Sequence, residues 1–228
     1  MEQKNIVKEK KKLATTNKTT LDYVYLILKR IIDIFGALIG ILILIPATII
    51  IYLVRVIKNE DKGPIFYEQL RYGKNGKIFR MYKFRTMVIG AHDILDDYLE
   101  KNCEAKKEFE EYKKLKNDPR ITKLGGFLRK TSLDELPQFI NILLGDMSFV
   151  GPRPVIKSEV EKYGDQADKF LSVTPGLTGY WQANGRSNTT YEERIKMELY
   201  YVDNISLILD IKILFKTIIS VIKKEGAI

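Results

Sequence analysis

The sequence predicts an α+β protein, mainly helical, with an N-terminal membrane helix. Three observations carry this. Ile34 to Val54 runs for 21 residues without a charge. Gly73-Lys-Asn-Gly76 separates two runs that read as strands, the pattern of one small β-hairpin. Most other segments repeat apolar residues at helical spacing. The chain divides into a basic flexible tail (1–20), a membrane segment (21–58) and a folded body (59–228).

Composition narrows the chemistry. A net charge of +9 and a pI near 9.3 call for an acidic partner: nucleic acid, anionic lipid or a phosphorylated substrate. One cysteine, Cys103, excludes an internal disulfide and fits a reducing compartment. One histidine, His92, excludes a multi-histidine metal site and argues against a histidine triad.

Residues 1–20 are lysine-rich and read as a solvated tail, or as a weak contact with an anionic membrane. At about 1.5 Å per residue, the Ile34–Val54 run could cross the hydrocarbon core as a straight helix. Two features oppose a crossing. Pro46 removes a helical hydrogen bond past the middle. Residues 1–33 hold eight Lys/Arg and residues 55–85 hold nine, so both flanks ask for the cytoplasm. A bent, re-entrant helix within one leaflet satisfies both.

Gly63–Tyr72 and Lys77–Met87 form the hairpin, with Asn75-Gly76 at its turn. Ile78, Arg80, Tyr82 and Phe84 share one face; Phe79, Met81, Lys83 and Arg85 share the other. Ala91–Lys116 reads as a charged, solvated helical insertion, with Leu95, Tyr98, Leu99, Phe109, Tyr112 and Leu115 as modest apolar stripes.

Asp134-Glu135 followed by Pro137 predicts a helix that starts near Asp134, runs through Leu144 and stops at Gly145. Ser132-x-x-Glu135 reads locally as a capping box. The alternative is a nucleophilic carboxylate beside a metal-binding one, facing a phosphate at the helix start. Arg129 and Lys130 precede the pair. Arg153 stands between Pro152 and Pro154, which stiffen its loop; it either meets a phosphate or pairs with a core acid.

Val155–Leu171 reads as two short helices around Gly164. Pro175–Arg186 has too many glycines for a helix and reads as a loop. Its Trp181 suits packing better than base stacking, and Arg186 suits a phosphate or nucleoside. Tyr191–Val202 reads as a helix. Ile205–Lys224 is amphipathic, fit for the core or the membrane interface, with Asp210 an exception on its apolar surface.

Three ordered stretches resemble one family: Asp118-Pro-Arg-Ile-Thr-Lys-Leu-Gly125, Leu128-Arg-Lys-Thr-Ser-Leu-Asp-Glu-Leu-Pro-Gln138 and Gly145-Asp-Met-Ser-Phe-Val-Gly-Pro-Arg-Pro154. These are similar to the bacterial sugar transferases, the monotopic polyprenol-phosphate phosphoglycosyl transferases, from about Lys29 onward. The resemblance implies transfer of a sugar-1-phosphate from a UDP-sugar to undecaprenyl phosphate, starting a capsule, exopolysaccharide or O-antigen on the cytoplasmic face of the bacterial inner membrane. It implies Asp134 as nucleophile and Glu135 as Mg²⁺ ligand. It also implies Lys83, Arg85, Arg129, Arg153, Arg186 and Asp210 as substrate contacts. The family usually has Ser-Pro where Ile45-Pro46 stands, and Asp where Glu198 stands. The 91–117 insertion looks like the hexose-1-phosphate branch, with galactose or glucose as sugar. Residues 59–228 are then the catalytic domain, and a homodimer is compatible with all of this. A membrane-tethered nucleic-acid module lacks any matching fold motif. A scaffold without chemistry leaves the acid pair without a purpose.

Overall fold

The computed structural model describes residues 20–60, 63–112, 115–185 and 189–222. The basic tail therefore lies outside the described residues, except for Thr20.

Helix α1 (Thr20–Ile57) runs for 38 residues with Pro46 inside it. The missing N–H at Pro46 has a neighbour in kind: the Thr48 hydroxyl donates back to the Leu44 carbonyl at 2.8 Å, a bond that favours bending. One stripe of α1 is buried: Asp33, Ala37, Gly40, Leu44 and Ile51. Gly36 and Gly40 are small because the rings of Phe149 and Phe139 lie where a β-carbon would stand. The opposite side is exposed and apolar, with Phe35, Leu42, Ile50 and Ile57 all at 60% or more. The described residues contain one helix long and apolar enough to cross a membrane, and it is this one.

The hairpin forms as the alternation predicted. Strand β1 (Phe66–Tyr72) pairs antiparallel with β2 (Ile78–Phe84), from Phe66 opposite Phe84 to Tyr72 opposite Ile78. At the turn, Asn75 and Gly76 both take positive φ, 57° and 76°, which Asn and Gly tolerate best. Phe79 and Met81 point into a core built with Ala37, Ile142 and Met147. Phe84 lies in a second cluster with Leu44, Ile51 and Leu128. This part of the core sits between α1, the hairpin and the segment that carries Ile142.

The charged insertion is two helices, α2 (Ala91–Lys101) and α3 (Cys103–Tyr112), not one solvated rod. Asn102 breaks it; its side chain accepts from the Ala105 N–H at 3.0 Å, the capping behaviour that disfavours Asn inside helices. Leu95, Ala105 and Leu115 close a small core of their own with Tyr98, Leu99 and Phe109.

Helix α4 (Lys123–Lys130) precedes a 3₁₀ turn (Leu133–Glu135) and α5 (Gln138–Leu144). The end of α5 is where the sequence placed it, with Gly145 at φ 87°. Its start is three residues after the acid pair, because Pro137 cannot donate to the Leu133 carbonyl. That carbonyl takes the Leu136 N–H instead, at 3.2 Å.

Pro175–Arg186 also holds more order than a loop. Strand β3 (Ser148–Val150) pairs parallel with β4 (Gly176–Thr178), and α8 (Tyr180–Asn184) follows. Gly151 and Gly176 let the two backbones touch. Between the strands stand the short helices α6 (Lys157–Val160) and α7 (Ala167–Phe170), joined by a 3₁₀ segment in which Gly164 takes φ 50°. Helices α9 (Tyr191–Asp203) and α10 (Leu207–Ile222) close the chain. On α10, Ile208, Phe215 and Ile218 stay exposed while Ile213 is buried.

Candidate active site

The acid pair is reached from a strained corner. Ser132 takes φ 56°, ψ 16°, a left-handed conformation uncommon outside glycine, and its side chain makes no cap bond. The capping-box reading of Ser132 and Glu135 is therefore corrected. Asp134 and Glu135 sit in the tight 3₁₀ turn that follows, ahead of α5. Since α5 is only seven residues long and starts later, its N-terminus does not frame Asp134 as the sequence suggested.

Lys83, near the end of β2, completes the pair. Its Nζ lies 2.7 Å from Glu135 Oε1 and 4.0 Å from Asp134 Oδ2. The two carboxylates titrate apart. Burial pushes the Asp134 carboxyl up to about 6; the charges of Lys83 and Arg129 pull it down less than burial raises it, and the Glu135 charge adds to the rise. For Glu135 burial also raises the value, but the charge and hydrogen bond of Lys83, then Arg153 and a Gln138 hydrogen bond, hold it below the usual range. One carboxylate stays firmly ionised while its neighbour is poised near neutrality, the arrangement expected when two acids take different roles.

Two further cations surround the pair. The Arg129 Nε donates to the buried Thr86 hydroxyl at 2.9 Å. Gly125 makes that possible, because its bare backbone lies against Thr86 and brings α4 close. The Arg153 backbone N–H donates to Glu198 at 3.2 Å, and β4 holds the same loop through Gly176 N–H to the Pro152 carbonyl at 2.8 Å. The Arg153 guanidinium makes no hydrogen bond or ion pair with the described residues, yet its charge reaches Glu135.

Other expected site residues fall elsewhere. The Arg85 guanidinium packs against Gly63, in the connection that leaves α1. Arg186 lies outside the described residues. Asp210 is not brought to the acid pair: it is 4% exposed, and it accepts from Lys29 at 2.6 Å, from the Tyr25 hydroxyl at 2.8 Å and from the Tyr201 hydroxyl at 2.7 Å. It ties α1 to α9 and α10. Glu198 is fully buried beside Arg153 and Arg194, and burial pushes its carboxyl up to about 7. Trp181 is half-buried and belongs to none of the core clusters: its indole N–H donates to Thr189 at 2.8 Å, and Arg194 lies 4.5 Å over its ring.

Sequence reasoning missed Gln138, Asn141 and Asp33. The available signal was polarity in apolar company: Gln138 and Asn141 interrupt an otherwise apolar helix and are buried. Asp33 accepts from the Ser148 hydroxyl at 3.0 Å and from the Phe149 N–H at 2.9 Å, fixing α1 to β3.

Asp134 and Glu135 are the carboxylates that could hold a divalent cation of the magnesium type. Such an ion takes one or two carboxylates and draws its other ligands from phosphate and water. Among the described residues no cluster of three or more His, Cys, Asp or Glu offers a complete protein cage.

A family model described as "Bacterial sugar transferase" matches residues 24–224. The undecaprenyl-phosphate galactose phosphotransferase of Salmonella typhimurium is 46% identical over 200 residues, covering 88% of this chain and 41% of the relative. The exopolysaccharide production protein ExoY of Rhizobium meliloti is 42% identical over 199 residues, covering 87% of each. The UDP-glucose:undecaprenyl-phosphate glucose-1-phosphate transferase of Klebsiella pneumoniae is 37% identical over 206 residues, covering 87% of this chain and 41% of the relative. The chain spans about two fifths of the length of several curated relatives it matches, between 41% and 44% of each.

Proposed function

The chain belongs to the bacterial sugar transferase family, and from that premise we propose that it moves a sugar-1-phosphate from a UDP-sugar to undecaprenyl phosphate, releasing UMP. The product would start a lipid-linked glycan such as capsule, exopolysaccharide or O-antigen. The observation that carries this reading is the Lys83–Glu135–Asp134 constellation: a cation and an ionised acid beside a carboxylate poised near pH 6.

The chemistry follows from those groups. The Asp134 carboxylate attacks the sugar-proximal phosphorus; the bond from that phosphorus to the UMP oxygen breaks, and UMP leaves with the electron pair. An oxygen of undecaprenyl phosphate then attacks the same phosphorus, and Asp134 departs as a carboxylate. Lys83, Arg129 and Arg153 offset the charge of the diphosphate. Arg85 and Arg186 are further candidates for contacts to the donor. Mg²⁺ bound by Glu135 would supply Lewis-acid stabilisation of the leaving phosphate.

Docking of α1 supports placement on one membrane surface. Near its start, Lys29 and Asp33 bond to β3, and Arg30 donates to the Ile142 and Leu143 carbonyls at 2.6 and 2.8 Å. Toward its end, Leu44 and Ile51 pack in one cluster with Phe84 and Leu128. The same folded body thus holds both ends of the helix. We place that body on the cytoplasmic face of the inner membrane, where UDP-sugars are found, with α1 re-entrant and its apolar side in the lipid; a homodimer is compatible with this placement.

The test is direct. Purified protein is mixed with undecaprenyl phosphate and UDP-galactose, UDP-glucose or UDP-N-acetylglucosamine, and UMP release is measured. Release from a hexose donor is expected, with galactose or glucose preferred. No lipid-dependent UMP from any of the three would overturn the reading.

A further inference from the structure

We infer that Asn141 is a positioning residue for this reaction, holding Lys83 in register against the acid pair. The inference rests on the functional reading above. Asn141 is 0% exposed on α5, beside the cluster formed by Phe79, Met81, Ile142 and Met147. An amide placed there costs free energy unless every polar atom is matched. Both ends are matched by one strand: Asn141 Oδ1 accepts from the Tyr82 N–H at 3.0 Å, and Asn141 Nδ2 donates to the Arg80 carbonyl at 2.7 Å.

Those two backbone groups lie on the edge of β2 that β1 does not cover. The side chain therefore does what a third strand would do, at one point and in one register. Lys83 is the next residue. A strand that slips by one position sends every side chain to the other face, so a clamp at Tyr82 fixes which way Lys83 points. The Asn141 carbonyl is itself held by the Asp146 and Met147 N–H groups at 3.0 and 3.2 Å. One turn earlier on the same helix, buried Gln138 faces Glu135 and helps hold its carboxyl below the usual range. Residues three apart share a helix face. That face of α5 thus sets one amide against the acid turn and the other on the strand bearing Lys83.

A leucine has the branched shape of asparagine and suits an apolar core, so an apolar environment alone does not ask for an amide here. Asn141→Leu in the full chain removes both bonds and keeps the branching pattern. The first readout is acetylation of Lys83 by acetic anhydride, followed by mass spectrometry, which needs no turnover. Lys83 should label faster in the variant than in the wild type, as it leaves Glu135. The second is a double-mutant cycle on UMP release from UDP-galactose, with enzyme in excess. Asn141→Leu should cost about 100-fold in an otherwise native site, the scale of a misplaced group. It should cost less than about 3-fold in a Lys83→Met background, because coupled residues are not additive. Unchanged Lys83 labelling, or the same 100-fold loss in both backgrounds, would overturn the proposal. If Asn141→Leu does not fold, Asn141→Asp keeps the acceptor for Tyr82 and loses the donor to Arg80; a smaller loss with the same non-additivity is expected, and native activity overturns the role. Absence of UMP release by the wild type would count against the functional reading, while the labelling result would still decide the clamp.

Discussion

Lys83 Nζ lies 2.7 Å from Glu135 and 4.0 Å from Asp134, so one cation from the hairpin serves both acids of the 3₁₀ turn. The closer contact keeps Glu135 ionised; the longer one offsets only part of what burial does to Asp134.

A pH dependence follows. Asp134 must be a carboxylate to attack, and burial has raised it to about 6. The acid limb of kcat/KM, which reports free enzyme, should therefore fall below about pH 6. Lys83 pulls Asp134 down, so Lys83→Met should move the limb to higher pH as well as lowering the plateau. A limb that stays in place in the variant removes Lys83 as a determinant of that carboxyl.

Metal removal is a second test. On the proposed reading, a diphosphate beside the acid pair would need a cation to orient the leaving UMP, and Glu135 is the ionised acid that would hold it. Excess chelator should abolish UMP release, and added Mg²⁺ should restore it. Glu135→Gln should lose at least about 100-fold, the scale of one electrostatic contact in a transition state. Full turnover in chelator would refute the metal assignment.

Glu198 predicts a stability effect of definite sign. It is fully buried, and its carboxyl is raised from 4.5 to about 7. A raised carboxyl binds its proton more tightly in the folded state, so its stabilisation is complete below pH 4.5 and is lost as pH climbs through 7. A displacement of that size corresponds to about 3 kcal/mol. Glu198→Gln keeps an acceptor for the Arg153 N–H and carries no charge. It should match the wild type in thermal stability near pH 5 and exceed it near pH 8.5. A parallel decline of both proteins with pH would show that Glu198 is ionised throughout.

Topology is testable by labelling. In a Cys103→Ser background, single cysteines replace Tyr23, in the first turn of α1, and Lys74, beyond its end; Tyr23 is exposed and Lys74 is in the hairpin turn. Both should react with an impermeant maleimide only after the cells are opened. Modification at Tyr23 in intact cells would mean a full crossing. Pro46→Leu restores the missing helical bond and should shift some molecules toward that crossing.

The fold was legible where one local rule dominated. The period-2 alternation found β2, Asn75-Gly76 found the turn, and Gly145 marked the end of α5. Errors arose where a single residue outweighed a pattern. Asn102 split the insertion by capping rather than continuing a helix, and Pro137 delayed α5 past the acid pair. The site was half legible: the sequence named Asp134, Glu135, Lys83, Arg129 and Arg153, and the fold gathers them. Asp210 could not be sorted by spacing, because its partners Tyr25, Lys29 and Tyr201 come from distant parts of the chain. Asn141 was equally hidden, since its bonds run to backbone atoms 59 and 61 positions away.

The last test concerns the nucleophile. If Asp134 attacks phosphorus, a phospho-sugar should accumulate on it when no lipid acceptor is present. A carboxylate is a weak nucleophile, but its acyl phosphate is a reactive mixed anhydride, which makes the second transfer easy. Asp134→Asn preserves size and hydrogen-bonding capacity. The 3₁₀ turn around it is set by backbone bonds, Glu135 N–H to the Ser132 carbonyl and Leu136 N–H to the Leu133 carbonyl, which the substitution leaves in place. The variant should therefore fold and lose both half-reactions. Intact-protein mass spectrometry after mixing with UDP-galactose and Mg²⁺ reads the outcome: the wild type should gain the mass of one hexose phosphate, and the variant should gain nothing. Fast turnover by Asp134→Asn, with no adduct trapped on the wild type, would leave Asp134 an electrostatic neighbour of Lys83 and shift the attack to the lipid phosphate itself.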